Sequence, residues 1–175
     1  MSLRQLAASI FTMALLTSCC KEEIQPTELP AITTSGIGMF ACRINGEIFV
    51  RSDCGPYIQQ FSPHYYSSGS NAGLFRILVY NDHHFDEELS IDLRIRDYYG
   101  DLGVVDITSE WDIRPIYDLP LDTLQPNYVE FLRFDTIEKV ASGTFEFTCV
   151  NPQDSLEIWE ITEGRFDMSN MRLNQ

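Results

Sequence analysis

Leu89, Ile91, Leu93 and Ile95 alternate with Ser90, Asp92, Arg94 and Arg96. A strand sends successive side chains to opposite faces, whereas a helix would scatter these four apolar residues around its girth. The run therefore predicts a half-buried strand. Residues 143–150 repeat the period, with Phe145, Phe147 and Cys149 on one face and Thr144, Glu146 and Thr148 on the other. Residues 74–80 are a strongly apolar run of strand length, and 128–134 give another candidate. Asn45-Gly46 predicts a hairpin, because both residues tolerate the positive φ of a two-residue type I′ turn. That turn sets Ile44 opposite Glu47, Cys42 opposite Phe49 and Phe40 opposite Arg51. Phe40, Cys42, Ile44 and Phe49 then share an inward face.

Asn151-Pro152-Gln153-Asp154 predicts a turn, after which 156–161 runs back antiparallel and 164–168 extends or follows it. Residues 104–107 give a short strand, and Pro115 and Pro120 argue for an edge or loop around them. Residues 57–73 are rich in Tyr, Ser, Gly and Pro and read as a long loop; 82–87 reads as a turn. No segment carries a sustained helical stripe. About seven or eight short strands separated by turn residues predict an all-β domain. An antiparallel β-sandwich is the favoured form and an antiparallel β-barrel the alternative.

The first residues follow neither period. Residues 6–16 are apolar and uncharged, with Arg4 before them. Roughly 11 residues match a signal-peptide core and fall short of the ~20 needed to span a bilayer. Leu16-Thr17-Ser18-Cys19 resembles the lipobox of bacterial lipoproteins, with leucine three before the cysteine and a small residue directly before it. Cys20 fits worse, since Thr17 would replace the leucine. The resemblance implies that Cys19 takes a diacylglyceryl group and becomes the acylated N-terminus. At about 0.8 kcal/mol per buried methylene, two or three acyl chains hold where one is marginal.

The residue after Cys19 is not aspartate, so the inner-membrane retention signal is absent. Lys21-Glu22-Glu23 resembles the surface-export signal of Bacteroidota lipoproteins. The expected address is the outer membrane, lipid-anchored, on the cell surface. Residues 1–18 are then a lipoprotein signal peptide, 19–35 a lipidated flexible tether and 36–175 a single β domain. The segment 40–50, Phe-Ala-Cys-Arg-Ile-Asn-Gly-Glu-Ile-Phe-Val, resembles the opening hairpin of a family of Bacteroidota outer-membrane lipoproteins. Residues 142–147 (Ser-Gly-Thr-Phe-Glu-Phe) and 161–167 (Ile-Thr-Glu-Gly-Arg-Phe-Asp) resemble its closing hairpin. The family has no assigned activity, so the resemblance implies a β fold and no catalytic residue.

Charge narrows the partners. The chain of 175 residues carries 12 Lys+Arg against 26 Asp+Glu, a formal net charge of −14. Nucleic-acid affinity depends on Lys and Arg displacing counterions, so nucleic acid is not an expected partner. A peripheral grip on anionic lipid needs basic residues too. The membrane is expected as a partner only through the lipid anchor.

Candidate chemistry is sparse. With Cys19 acylated, Cys20, Cys42, Cys54 and Cys149 remain, and an exported protein can pair them. Cys42 and Cys54 flank one hairpin, yet in straight register they stand roughly 16 Å apart, too far unless the chain folds back. Cys42 and Cys149 both fall on inward faces, where a bridge is conceivable and plain core packing is the rival. His83, His84 and Asp86 sit in the one dense cluster of metal-type ligands, which lacks EF-hand or zincin spacing and reads as a solvated turn. No cofactor and no catalytic residue is assigned. The sequence has neither a G-x-S-x-G elbow nor H-E-x-x-H. Tyr57, Tyr65, Tyr66, Tyr98, Tyr99, Trp111 and Tyr117 lie in predicted loops or edges, and rigid rings there suit a glycan or protein partner. Tyr65, Tyr66, Tyr98, Tyr99 and Trp111 are the candidate ligand contacts. The sequence thus reads as a non-enzymatic structural or binding module of the outer membrane, with a carbohydrate-binding accessory or glycan hydrolase component as the alternative.

Overall fold

Asn45 and Gly46 take φ values of 49° and 85°, and the hairpin they close has the expected register. In a computed structural model, which describes residues 26–52, 63–81, 89–106, 112–114, 120–151 and 157–174, β1 (Met39–Ile44) pairs with β2 (Glu47–Ser52). Ile44 faces Glu47, Cys42 faces Phe49 and Phe40 faces Arg51. The four residues assigned to the inward face are all buried.

Among the described residues nine more strands follow: β3 (His64–Tyr66), β4 (Leu74–Asn81), β5 (Leu89–Ile95), β6 (Gly103–Asp106), β7 (Asp112–Arg114), β8 (Tyr128–Asp135), β9 (Val140–Val150), β10 (Ile158–Met168) and β11 (Arg172–Asn174). The first sheet runs β2-β1-β10-β9-β8-β6 and the second β11-β3-β4-β5-β7. All pairs are antiparallel except β11 with β3. Each sheet keeps two edges, so the architecture is a β-sandwich and not a closed barrel.

Phenylalanines join the sheets. Phe75 of β4 meets Phe131 of β8 at 5.1 Å between ring centroids, mostly edge-on, and Phe166 of β10 at 6.1 Å. Such edge-to-face pairs suit the ring quadrupoles and add to the area they bury. Ile77, Val79, Ile91, Leu93 and Ile95 complete the inner face of the second sheet, as the period of two demands.

Two glycines permit close approach. A Cβ on Gly143 would lie 2.2 Å from the Glu130 carbonyl oxygen, and one on Gly164 would lie 2.4 Å from the Phe145 ring. Gly164 follows Glu163, whose φ is 50°, at a bulge that inserts one extra residue between Ile161 and Gly164. The expected strands 156–161 and 164–168 are therefore one bulged strand, β10, beginning at Ile158.

Residues 63–73, the described part of the long loop expected over 57–73, differ from it. Within them β3 pairs with β4 and β11, and a 3-10 turn spans Gly69–Asn71. Of the segment 19–35 expected as a flexible tether, residues 30–35 are instead held, with 36 and 37, on the outer face of the first sheet. Asp167 is fully buried there and accepts from Thr33 Oγ1 at 2.6 Å, Gly36 N at 2.7 Å and Ser35 N at 3.0 Å, with a longer contact to Ile37 N. Arg165 Nη1 donates to the Pro30 carbonyl at 2.6 Å and Arg133 Nη1 to the Thr34 carbonyl at 3.0 Å. A polar stretch that reads as linker is thus a strap, because its partners lie about a hundred residues or more away. No helix among the described residues is long and apolar enough to cross a membrane.

Candidate functional site

The outer face of the second sheet gathers positive charge on an acidic chain. Inward positions of β3, β4 and β5 carry Tyr65, Phe75, Ile77, Leu93 and Ile95, so the residues between them point outward. Register then builds a row across four strands: Arg172 beside His64, His64 beside Arg76, Arg76 beside Arg94. At the usual strand spacing this row is about 14 Å long.

Asp92 anchors its centre. The aspartate side chain is 3% exposed, while those of Arg76 and Arg94 are 31% and 27% exposed. Arg76 reaches it through Nε at 2.7 Å and Nη2 at 2.5 Å, and Arg94 through Nε at 3.0 Å and Nη2 at 2.5 Å. Both guanidinium planes are thereby fixed, since a fork with two donors on one carboxylate has little freedom. Hydrogen bonding to Asp92 raises the Arg76 pKa, so it stays charged. On the far side of Asp92, Asp112 is next in register on β7.

His64 lies between two arginines. Burial, then the charges of Arg172 and Arg76, hold its pKa below the ordinary histidine value, so the ring is neutral at pH 7. The Asn174 side-chain amide, 3.3 Å from Nδ1, donates to it and leaves the ring proton on Nε2. Tyr66, two residues on along β3, lies nearly parallel to the His64 ring with centroids 6.3 Å apart. The face offers fixed cations, an N–H donor and a flat ring, which together suit an anionic, ring-bearing ligand.

The expected site residues divide. Tyr65 and Tyr98 are corrected to core residues, 9% and 3% exposed. Tyr98 stacks on Phe131 at 4.1 Å and donates its hydroxyl to the Asp101 carbonyl at 2.9 Å; Tyr65 meets Phe134 edge-on at 5.0 Å. A loop tyrosine with an apolar ring and one polar tip caps the open end of a sandwich well. Tyr66 and Tyr99 stay accessible, half-buried and 70% exposed, and both border Gly73, whose N–H donates to the Tyr66 carbonyl. Trp111, Tyr57 and Tyr117 lie outside the described residues, as do Cys19, Cys20, Cys54, His83, His84 and Asp86. Among the described residues no three His, Cys, Asp or Glu groups are set to hold a metal.

The conceivable Cys42–Cys149 bridge is also corrected, because both are free buried thiols. Strand β10 lies between their strands, and the register offsets them along it, a separation of roughly 17 Å where a disulfide needs under about 7 Å.

Sequence reasoning missed Arg172, His64 and Arg76. The outward phase of Arg76 and Arg94 is readable from alternation, but the parallel pairing that brings Arg172 alongside has no local signal. Comparison of the chain with protein-family models, curated proteins and solved structures found no match.

Proposed function

We propose that the protein is a lipid-anchored binding module of the outer-membrane surface, held through Cys19, that binds its partner without transforming it. The observation that carries this reading is the strap. A tether leading from an acylated Cys19 to Pro30 delivers its pull to the outer face of the first sheet, through Arg165, Arg133 and Asp167. The opposite face, with Arg172, His64, Arg76 and Arg94, is then left for a partner. The reading as a binder draws support from that face, where charged groups are locked in ion pairs beside an exposed arginine.

Fatty-acid labelling in cells tests the anchor. Cys19→Ala is expected to abolish incorporation and release or misprocess the protein, while Cys20→Ala keeps the label. Label retained by the Cys19 variant would overturn the reading. Surface display is checked by adding protease to intact cells, which is expected to cleave the protein.

A further inference from the structure

We infer that β2 is an interface, on which a second copy of this chain lays its own β2 antiparallel about a two-fold axis at Phe49. This goes beyond the proposed function and does not rest on it. Among the described residues β2 and β6 are the edges of the first sheet, and β11 and β7 those of the second. β7 and β11 have three residues each and β6 has four, whereas β2 has six. Short edges give an incoming strand little to pair with, and proline or a bulge spoils a longer one. β2 contains no proline, and its register with β1 runs from Met39↔Ser52 to Ile44↔Glu47 without a shift.

The turn decides which main-chain groups face outward. A two-residue hairpin makes Ile44 and Glu47 a hydrogen-bonded pair, and such pairs alternate along the ladder. Glu47, Phe49 and Arg51 therefore direct their N–H and C=O groups to β1. Ile48 and Val50 turn theirs to the open edge, where a second strand must bond to them. With Ile48 set against Val50, Glu47 falls opposite the second copy's Arg51, and Arg51 opposite its Glu47. Ile48 against Ile48 would instead set Glu47 against Phe49, and Val50 against Val50 would set Arg51 against Phe49. Val50 against Ser52 would set Arg51 against Arg51.

Charge complementarity thus selects both the register and the partner. Glu47 and Arg51 share the face of Phe49, two residues to either side of it, and among the described residues neither side chain has an ion pair or hydrogen bond. In the selected register they meet as non-hydrogen-bonded pairs, the closer kind, so each copy supplies what the other lacks. Ile48 and Val50, half-buried on the opposite face, meet each other. The interface is isologous. Its axis stands normal to the sheet, so the two straps lie on one side of the joined sheets.

Sedimentation of the full chain from about 1 to about 100 μM, in non-ionic detergent with micelles in excess, reads the association. A reversible monomer–dimer equilibrium is expected. Arg51→Glu opposes like charges at both ends of the pairing and should weaken the dimer about tenfold or more. Glu47→Arg combined with Arg51→Glu exchanges the charges and should dimerise as the parent does. Equal melting points of the dilute chains show that these variants are folded. Register is read by mixing Glu47→Cys with Arg51→Cys under mild oxidation and identifying linked peptides by mass spectrometry. A non-hydrogen-bonded pair holds Cα atoms about 4.5 Å apart, within disulfide reach, so the two substituted positions should link in the mixture. Neither variant alone should link its position to itself, because those positions lie ~13 Å out of step. A monomer throughout, a dimer indifferent to Arg51→Glu or not restored by the exchange, or self-links as strong as the mixed link would each overturn the inference. Loss of the Cys19 label bears on the anchor alone, so either idea can fail without the other.

Discussion

A carboxylate as buried as Asp167 persists only where donors are aimed at it, since an unpaired buried charge costs several kcal/mol. Its donors come from residues 33–37, so the carboxylate closes the strap onto β10. Asp167→Ala leaves the Ser35 and Gly36 N–H groups facing a void and should cost about 3 kcal/mol, as loss of charge-assisted bonds does. Denaturant unfolding measures that loss, and limited proteolysis between residues 26 and 37 should speed up in the same variant. A variant with the parent's midpoint and cleavage rate would show that the strap is held by other contacts. The donors themselves were visible in the sequence as Thr33, Ser35 and Gly36. Their acceptor was not, because nothing local links a polar stretch to an aspartate over a hundred residues on.

Strand β5 shows how far alternation carries and where it stops. Leu93 is fully buried, as its phase requires, and Leu93→Asp puts an unpaired carboxylate between the sheets. The cost is several kcal/mol against a typical margin of about 5–15, so the domain should unfold. Alternation alone makes Arg94→Asp mild, as an outward substitution. The structure changes that expectation, because Arg94 shares the buried Asp92 with Arg76. Arg94→Asp sets two carboxylates against one guanidinium and should destabilise by roughly 2 kcal/mol, whereas Arg94→Gln keeps Arg76 in place and should cost less. Thermal midpoints ranked Leu93→Asp below Arg94→Asp below Arg94→Gln are expected; any other order contradicts this account. Local pattern was enough for the Asn45-Gly46 hairpin, whose turn residues fix its register, and for the inward face of β9. It was not enough for β3 and β11, three residues each, which are strands because of what they pair with. Tyr65 and Tyr98 were misplaced for the same reason: their burial depends on Phe131 and Phe134 from a distant strand.

Across the whole molecule the two sheets share one core, and Phe75 touches rings from β8 and β10 across it. The strap lies outside one sheet and the arginine row outside the other, on opposite sides of that core. A single core implies a single unfolding transition, as small domains usually show. Cys42 and Cys149 are natural reporters of it, because they sit on different strands of the first sheet with β10 between them. Burial pushes both thiols up, that of Cys149 to about 12, so each stays protonated and unreactive at neutral pH while the core is closed. Alkylation followed site by site through a denaturant titration should therefore show both cysteines silent at first. They should then react together, at the midpoint seen by tyrosine and tryptophan fluorescence. Labelling of one well before the other would mean that β1 or β9 opens on its own, and that the sandwich is two cooperative units.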